Sequence, residues 1–300
     1  MTVPAGWRVG DARITPIVEI VAGCVIQAGM RDATPERLLG VPWLRPDFVT
    51  GDGEMKSVVQ AFVIEAGGTV VLVDTGVGNG KSRPGLPAWS GLDTDFLDRL
   101  AAHGVKPADV DVVVSTHLHF DHVGWNTVAL DDAWTPTFPN ARHVISETEF
   151  RYWATRPDRE TADDRAGFDD SVRPVVDAGL VDLVTGEHRL HDGIRLLPTP
   201  GHTPGHVSVA VESAGERAII SGDAIHHPCQ IAHPEWNVHA DFDPELARRT
   251  RVELLGRCAD DGTLLIGSHF PSPTAVLVAR DGRGFTVTDT NGAESCWKSA

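Results

Sequence analysis

The chain has 300 residues, 41% of them hydrophobic, and 42 Asp and Glu against 26 Lys and Arg, a formal net charge of -16. That length and apolar content supply a sizeable core. The acidity, with no basic run anywhere along the chain, argues against a nucleic-acid partner, because phosphate binding needs clustered Lys and Arg.

In chain order, the opening MTVPAGWRVGDARITPIVEI has no basic segment followed by an unbroken apolar stretch, so no signal peptide is expected. Residues 16–30 are interrupted by Glu19 and are too short to span a bilayer. Strand-like runs follow at 12–20, 57–66 and 69–76, and Gly67-Gly68 reads as the turn of a β-hairpin. Residues 93–104 have apolar side chains at helical spacing and end on Gly104. A buried strand is expected at 109–116 and a strand running into a helix over 141–154. Further strands are expected at 193–199, 206–212, 217–223 and 263–269. A helix is expected over 243–260 with Asp243 as its N-cap. The tail reads as a hairpin over 275–289 turning at Asp281-Gly282.

This order of elements predicts an α/β fold, two sheets packed together with helices outside. The Pro- and Gly-rich stretches 31–56, 77–92, 156–170 and 225–242 read as loops, where function concentrates. Cys24, Cys229, Cys258 and Cys296 are far apart and form no CxxC pair, so scattered buried thiols are expected and the protein reads as cytoplasmic.

The densest chemistry lies in STHLHFDHVGWN, residues 115–126, directly after the apolar run Val112-Val113-Val114. In an extended segment His117 and His119 point the same way and can chelate one ion. Asp121 and His122 follow where the strand has ended and can turn towards a second ion. Four such groups at this spacing indicate metal binding.

His-x-His-x-Asp-His after a hydrophobic strand resembles the signature of the metallo-β-lactamase superfamily of binuclear metal hydrolases. Four further stretches resemble the family pattern in the family's order: VVLVDTGVGNG (70–80), TPGHTPGH (199–206), IISGDAIHH (219–227) and LLIGSHF (264–270). The resemblance implies a single domain over 1–300, an αββα sandwich of two packed mixed sheets with helices on the outer faces. It implies one ion held by His117, His119, His202 and Asp223, and another by Asp121, His122, His269 and the shared Asp223. Asp74 would hydrogen-bond within the site without ligating metal. All the donors are N or O, which suits two Zn²⁺, with Fe or Mn not excluded.

The resemblance further implies hydrolysis of a lactone or ester carbonyl by a metal-bridging hydroxide, with Asp121 relaying the proton to the leaving group. It is nearest the branch of quorum-quenching acyl-homoserine lactonases and methyl parathion hydrolase. An arylesterase or organophosphate hydrolase stays open, as do, with less support, a mononuclear iron dioxygenase and a non-catalytic metal-binding protein. Acyl-homoserine lactonases commonly carry a tyrosine three residues beyond the bridging aspartate; His226 stands there, as a candidate oxyanion contact or proton donor. Phe120, Trp125, Trp236 and Phe270 are candidates to line the pocket, which suggests a small-molecule substrate with an apolar portion. No membrane partner is expected, and a homodimer stays open.

Overall fold

The fold is taken from a computed structural model that describes residues 6–23, 25–155 and 161–288. Its strands are β1 (Trp7–Val9), β2 (Ala12–Val21), β3 (Val58–Ala66), β4 (Thr69–Val73), β5 (Val112–Val114), β6 (Thr127–Leu130), β7 (Ala133–Pro136), β8 (Arg142–Ser146), β9 (Val181–Val184), β10 (His188–His191), β11 (Ile194–Pro198), β12 (Val207–Ser213), β13 (Glu216–Ile220), β14 (Leu264–Ile266), β15 (Ala275–Asp281) and β16 (Gly284–Val287). They form two seven-stranded sheets, ordered β1-β2-β3-β4-β5-β8-β9 and β10-β11-β12-β13-β14-β15-β16, and a separate β6-β7 pair. Both large sheets are mixed: β4, β5, β8 and β9 pair in parallel in the first, and β13 with β14 in the second. The chain divides into two compact units, one chiefly of residues 11–20 and 59–186, the other chiefly of 21–58 and 187–288.

In the first unit, short apolar strands flanked on both sides, such as Val112–Val114, read as buried runs because each neighbour covers one edge. Its core gathers Ile17, Val63, Leu72, Phe96, Val113, Trp125 and Phe138. The β3–β4 hairpin turns at Gly67-Gly68, both with positive φ, as the sequence leads one to expect. In the second unit, Leu255, Leu265, Phe270, Val276 and Trp236 share one core with Phe48 and Met30. The helix Pro244–Asp261 starts where Asp243 accepts the Leu246 N–H at 2.9 Å and ends at left-handed Gly262.

Three expected loops contain α-helix, and the fourth, 77–92, a 3-10 turn at Pro87–Trp89. Thr34 accepts the Arg37 N–H and Pro35 opens a turn over Pro35–Leu39, a start signal that the Pro-rich context masks. Thr161 caps Ala162–Gly167 in the same way, and a π-helical turn, Phe168–Val172, continues from it. Cys229–Ala232 forms a single turn inside 225–242. The tail hairpin turns one residue later than expected, at Gly282-Arg283, since Asp281 pairs with Gly284. Its expected last residue, 289, lies outside the described residues, as do Cys24 and Cys296; Cys229 and Cys258 are free and buried. No described helix is long and apolar enough to cross a membrane.

His143 on β8 is fully buried, and neither ring nitrogen has a hydrogen-bond partner among the described residues. Burial, aided by the neighbouring Arg142 charge, lowers its pKa from 6.5 to about 4. Buried His227 is likewise lowered to about 4. Between those values the unfolded chain binds more protons than the folded one, so stability present above pH 6.5 is lost as pH falls towards 4. Urea midpoints should therefore drop across that interval. His143→Leu should raise stability at pH 7 by about 1 kcal/mol, because it removes an unpaired buried polar group. It should also remove that residue's share of the acid loss; an unchanged acid slope would contradict the assignment.

Candidate metal centre

In the first unit, β5 delivers the chain into the loop that carries His117 and His119, and the short helix Phe120–Val123 carries Asp121 and His122. Asp74 stands at the end of the adjacent β4 in the left-handed region at φ 57, which Asp tolerates better than most side chains. One carboxylate oxygen accepts the Thr116 N–H at 2.8 Å. The other accepts the Thr116 hydroxyl at 2.9 Å and faces His122 Nδ1 at 2.9 Å. The committed Thr116 hydroxyl then accepts from His117 Nδ1 at 3.1 Å. With both Nδ1 atoms protonated, His117 and His122 turn unprotonated Nε2 atoms away from Asp74. His117 Nε2 lies 2.9 Å from His119 Nδ1, so these two donors converge. Asp121 Oδ2 lies 3.9 Å from His122 Nε2.

Two acidic groups to which the sequence reading gave no role in the site brace this loop. Glu149, buried in the helix Glu147–Thr155, accepts the Leu118 N–H at 3.1 Å and the Trp153 indole N–H at 2.7 Å. The Trp153 ring in turn meets His119 edge-on at 5.4 Å. Buried Glu19 accepts the Val77 and Gly78 N–H groups at 2.6 and 3.0 Å and the Trp125 indole at 2.6 Å. Burial raises its pKa against the lowering effect of these bonds.

In the second unit, His202 follows β11, Asp223 follows β13 and His269 follows β14. Gly201 adopts φ 136 with its α-carbon close to the helix Pro244–Asp261; a Cβ there would meet the Ala247 nitrogen at 2.3 Å. That explains the Gly before His202. Asp223 Oδ2 faces His202 Nε2 at 3.4 Å, and Oδ1 faces His269 Nε2 at 3.2 Å. The distal nitrogens are fixed: His202 Nδ1 by Asp241 at 2.9 Å and His269 Nδ1 by the Val58 carbonyl at 2.8 Å. His206, the last residue of the 199–206 motif and given no role by the sequence reading, accepts the Asp223 N–H at Nε2 and bonds Thr199 through Nδ1, both at 2.9 Å. Burial raises the Asp241 carboxyl pKa, but the His202 hydrogen bond and the charges of His202, His226 and Arg251 bring it below the ordinary value.

These donors fit a metal ion. Two ligands bound at 2.0–2.1 Å to a tetrahedral ion stand about 3.3 Å apart. The His202–Asp223 and His269–Asp223 separations of 3.4 and 3.2 Å match that spacing. His226 is buried rather than facing solvent: its Nε2 lies 3.1 Å from Asp223 Oδ2, and its Nδ1 has no hydrogen-bond partner among the described residues. With His202 and Asp241 it forms a further cluster whose donor atoms all lie within 4.8 Å.

Three of the aromatic side chains expected to line a pocket are core residues instead. Trp125 stacks on Phe96 at 5.3 Å. Trp236 is fully buried between the His233 ring and Arg37, and Phe270 is fully buried in the same cluster. Their proximity to the motifs reflects burial of the sheet ends. Phe120 alone is half-buried, with Trp89 on its edge and Arg83 over its face.

Comparison with known proteins shows the family of the chain. The family model of the metallo-beta-lactamase superfamily matches residues 56–300. An N-acyl homoserine lactonase of Bacillus thuringiensis is 25% identical over 225 residues, 71% of this chain and 75% of that protein. The crystal structure of AbOPH, a hydrolase of the beta lactamase superfamily, superposes with TM-score 0.77 at 24% identity over 95% of this chain and 97% of the other. AidC, a dizinc quorum-quenching lactonase in complex with a product, superposes with TM-score 0.77 at 20% identity over 94% and 95%. Both structures share the two-sheet α/β fold.

Asp74→Asn tests the first-unit half. Asn keeps the left-handed backbone but offers one acceptor oxygen where the carboxylate serves three donors. The variant should fold and hold metal roughly 10–100-fold more weakly, measured by competition with a chromogenic chelator. Unaltered affinity would remove Asp74 from the ligand-orienting role.

Proposed function

Since the chain belongs to the metallo-β-lactamase superfamily and is a metal-dependent hydrolase, we propose that it is a binuclear zinc lactonase opening a lactone with an apolar acyl portion. One ion would be held by His117, His119, His202 and Asp223, the other by Asp121, His122, His269 and Asp223. The observation that carries this reading is Asp223 itself: each carboxylate oxygen faces the Nε2 of a different histidine whose distal nitrogen is already committed. That is the arrangement a bridging carboxylate requires. The similarity to the Bacillus thuringiensis lactonase supports the substrate class.

Bound there, the ions supply an acidified water as nucleophile and a Lewis acid for the carbonyl oxygen. The chain's own groups do the rest. Asp121, with a side chain 15% exposed, is the carboxylate placed to take a proton and return it to the leaving alkoxide. His226 offers a buried nitrogen with no hydrogen-bond partner among the described residues, suited to a hydrogen bond with the carbonyl oxygen or leaving group. Half-buried Phe120 is the remaining aromatic candidate for the apolar part of the substrate.

Elemental analysis of protein purified without chelator should give close to two zinc ions per chain; one or fewer after zinc supplementation would refute the binuclear reading. Asp121→Asn should cost orders of magnitude in turnover on lactones while folding is kept, and unchanged turnover would move the chemistry elsewhere.

His226→Ala should lower kcat and kcat/KM together by roughly 10–10³-fold with metal content intact. Loss of a metal along with activity would make His226 a ligand. His226→Tyr should raise activity on acyl-homoserine lactones relative to aryl esters, and a constant ratio would place specificity in the loops 21–56 and 225–242.

A further inference from the structure

Arg251 lies on the helix Pro244–Asp261 and is fully buried, which an arginine tolerates only when its donors are placed. Its Nε donates to the Ala224 carbonyl at 2.9 Å, one residue beyond Asp223. Its Nη1 donates to the Pro234 and Trp236 carbonyls at 2.7 and 3.0 Å. Its Nη2 makes no hydrogen bond among the described residues and lies 3.8 Å from Asp241 Oδ2, an ion pair between two side chains without solvent exposure. Asp241 Oδ2 also accepts the Val238 N–H at 3.1 Å, while Oδ1 meets His202 Nδ1 at 2.9 Å. One guanidinium therefore reaches both the carboxylate that orients His202 and the backbone that carries Asp223.

We infer that Arg251 is a positioning residue for metal retention, holding His202 and Asp223 in register through Asp241 and the Ala224 carbonyl. This rests on the reading of His202 and Asp223 as ligands of one ion. The physical reason is local. The loop 225–242 lacks long regular structure, so the position of Asp241 depends on side-chain bonds. With Arg251 shortened, the buried Asp241 carboxylate loses its nearest arginine, the Ala224 and Pro234 carbonyls lose the Arg251 donor, and the Trp236 carbonyl keeps only Gln230. His202 and Asp223 then relax independently, and the ion between them is held less tightly.

The test uses Arg251→Lys, which keeps the charge but not the fork, and Asp241→Asn, which keeps the shape but removes the charge and leaves one acceptor oxygen where His202, Val238 and Arg251 now meet two. Zinc affinity is measured by competition with a chromogenic chelator, and melting temperature with and without zinc. Wild type and both variants are compared. Both variants should bind zinc roughly 10–100-fold more weakly, with the zinc-induced rise in Tm reduced, and excess zinc should restore occupancy. The double variant should bind little more weakly than the worse single one, since the two act along one path. Should Arg251→Lys fail to fold, Asp241→Asn alone decides: zinc affinity within twofold of wild type overturns the proposal. A drop in metal-free Tm with unchanged zinc affinity in Arg251→Lys also overturns it, leaving a purely structural arginine. If wild type itself retains no zinc, the underlying metal reading fails instead, and the two failures are distinguishable.

Discussion

For four of the five candidate ligand histidines, the hydrogen bond on the far nitrogen decides which nitrogen is turned towards a metal. Asp74 does this directly for His122 and through Thr116 for His117. Asp241 does it for His202, and the Val58 carbonyl for His269. These four imidazoles are buried, so a wrong tautomer would leave an acceptor facing an acceptor where no water can relieve it. The orientation is thus settled by the protein before any ion arrives. Most of the surrounding polar architecture serves that end.

The supports are themselves supported. Lys81 and Arg83, both without side-chain exposure, share Asp170 in the loop that follows Asp74, and burial lowers the Lys81 pKa to about 8. Lys81 also donates to Thr127 at 2.8 Å and sits 3.7 Å over the Trp134 ring. Removing one partner of such a buried set costs about 3–5 kcal/mol, because it strands a charge in low dielectric. Glu19 clamps the start of the same loop by two backbone N–H groups. Loop segments that would otherwise wander are tied to strands by ionic and backbone bonds, and the ligands inherit their rigidity.

Reading the sequence found the strands and the His and Asp groups that cluster as candidate metal donors because both signals are local. His-x-His-x-Asp-His declares its chemistry within six positions, and apolar runs such as Val112–Val114 declare burial within three. Asp241 and Arg251 escaped because their roles arise from contacts across the chain: Asp241 meets His202 39 residues away, and Arg251 meets Ala224 27 residues away. No spacing rule marks them. Glu149 lay inside a correctly expected helix, but a helical Glu reads as a solvated charge unless its neighbours are known. The aromatic residues failed for the opposite reason. Trp125, Trp236 and Phe270 sit beside motif residues in sequence, yet a strand end that presents a ligand on one side must bury its neighbours on the other. The short helices in 31–56 and 156–170 were hidden by composition, although Thr34 and Thr161 cap them in the ordinary way.

The same bracing bears on where substrate choice can reside. In the loop 225–242, Gln230 accepts the His226 N–H at 2.7 Å and donates to the Trp236 carbonyl at 2.7 Å. Arg251 takes the Trp236 and Pro234 carbonyls from the other side. Phe242 N–H bonds the His202 carbonyl at 3.0 Å, so the end of the loop is pinned to the ligand turn itself. A loop cross-linked at its start, middle and end has little freedom to reshape around different substrates. On the proposed reading, discrimination in this part of the protein comes from side-chain identity at fixed positions, with His226 beside Asp223 the candidate. Adjusting the backbone there to suit a new substrate would loosen His202 at the same time. Selection for a new leaving group thus acts against metal retention unless it proceeds by exchange of side chains on an unaltered loop.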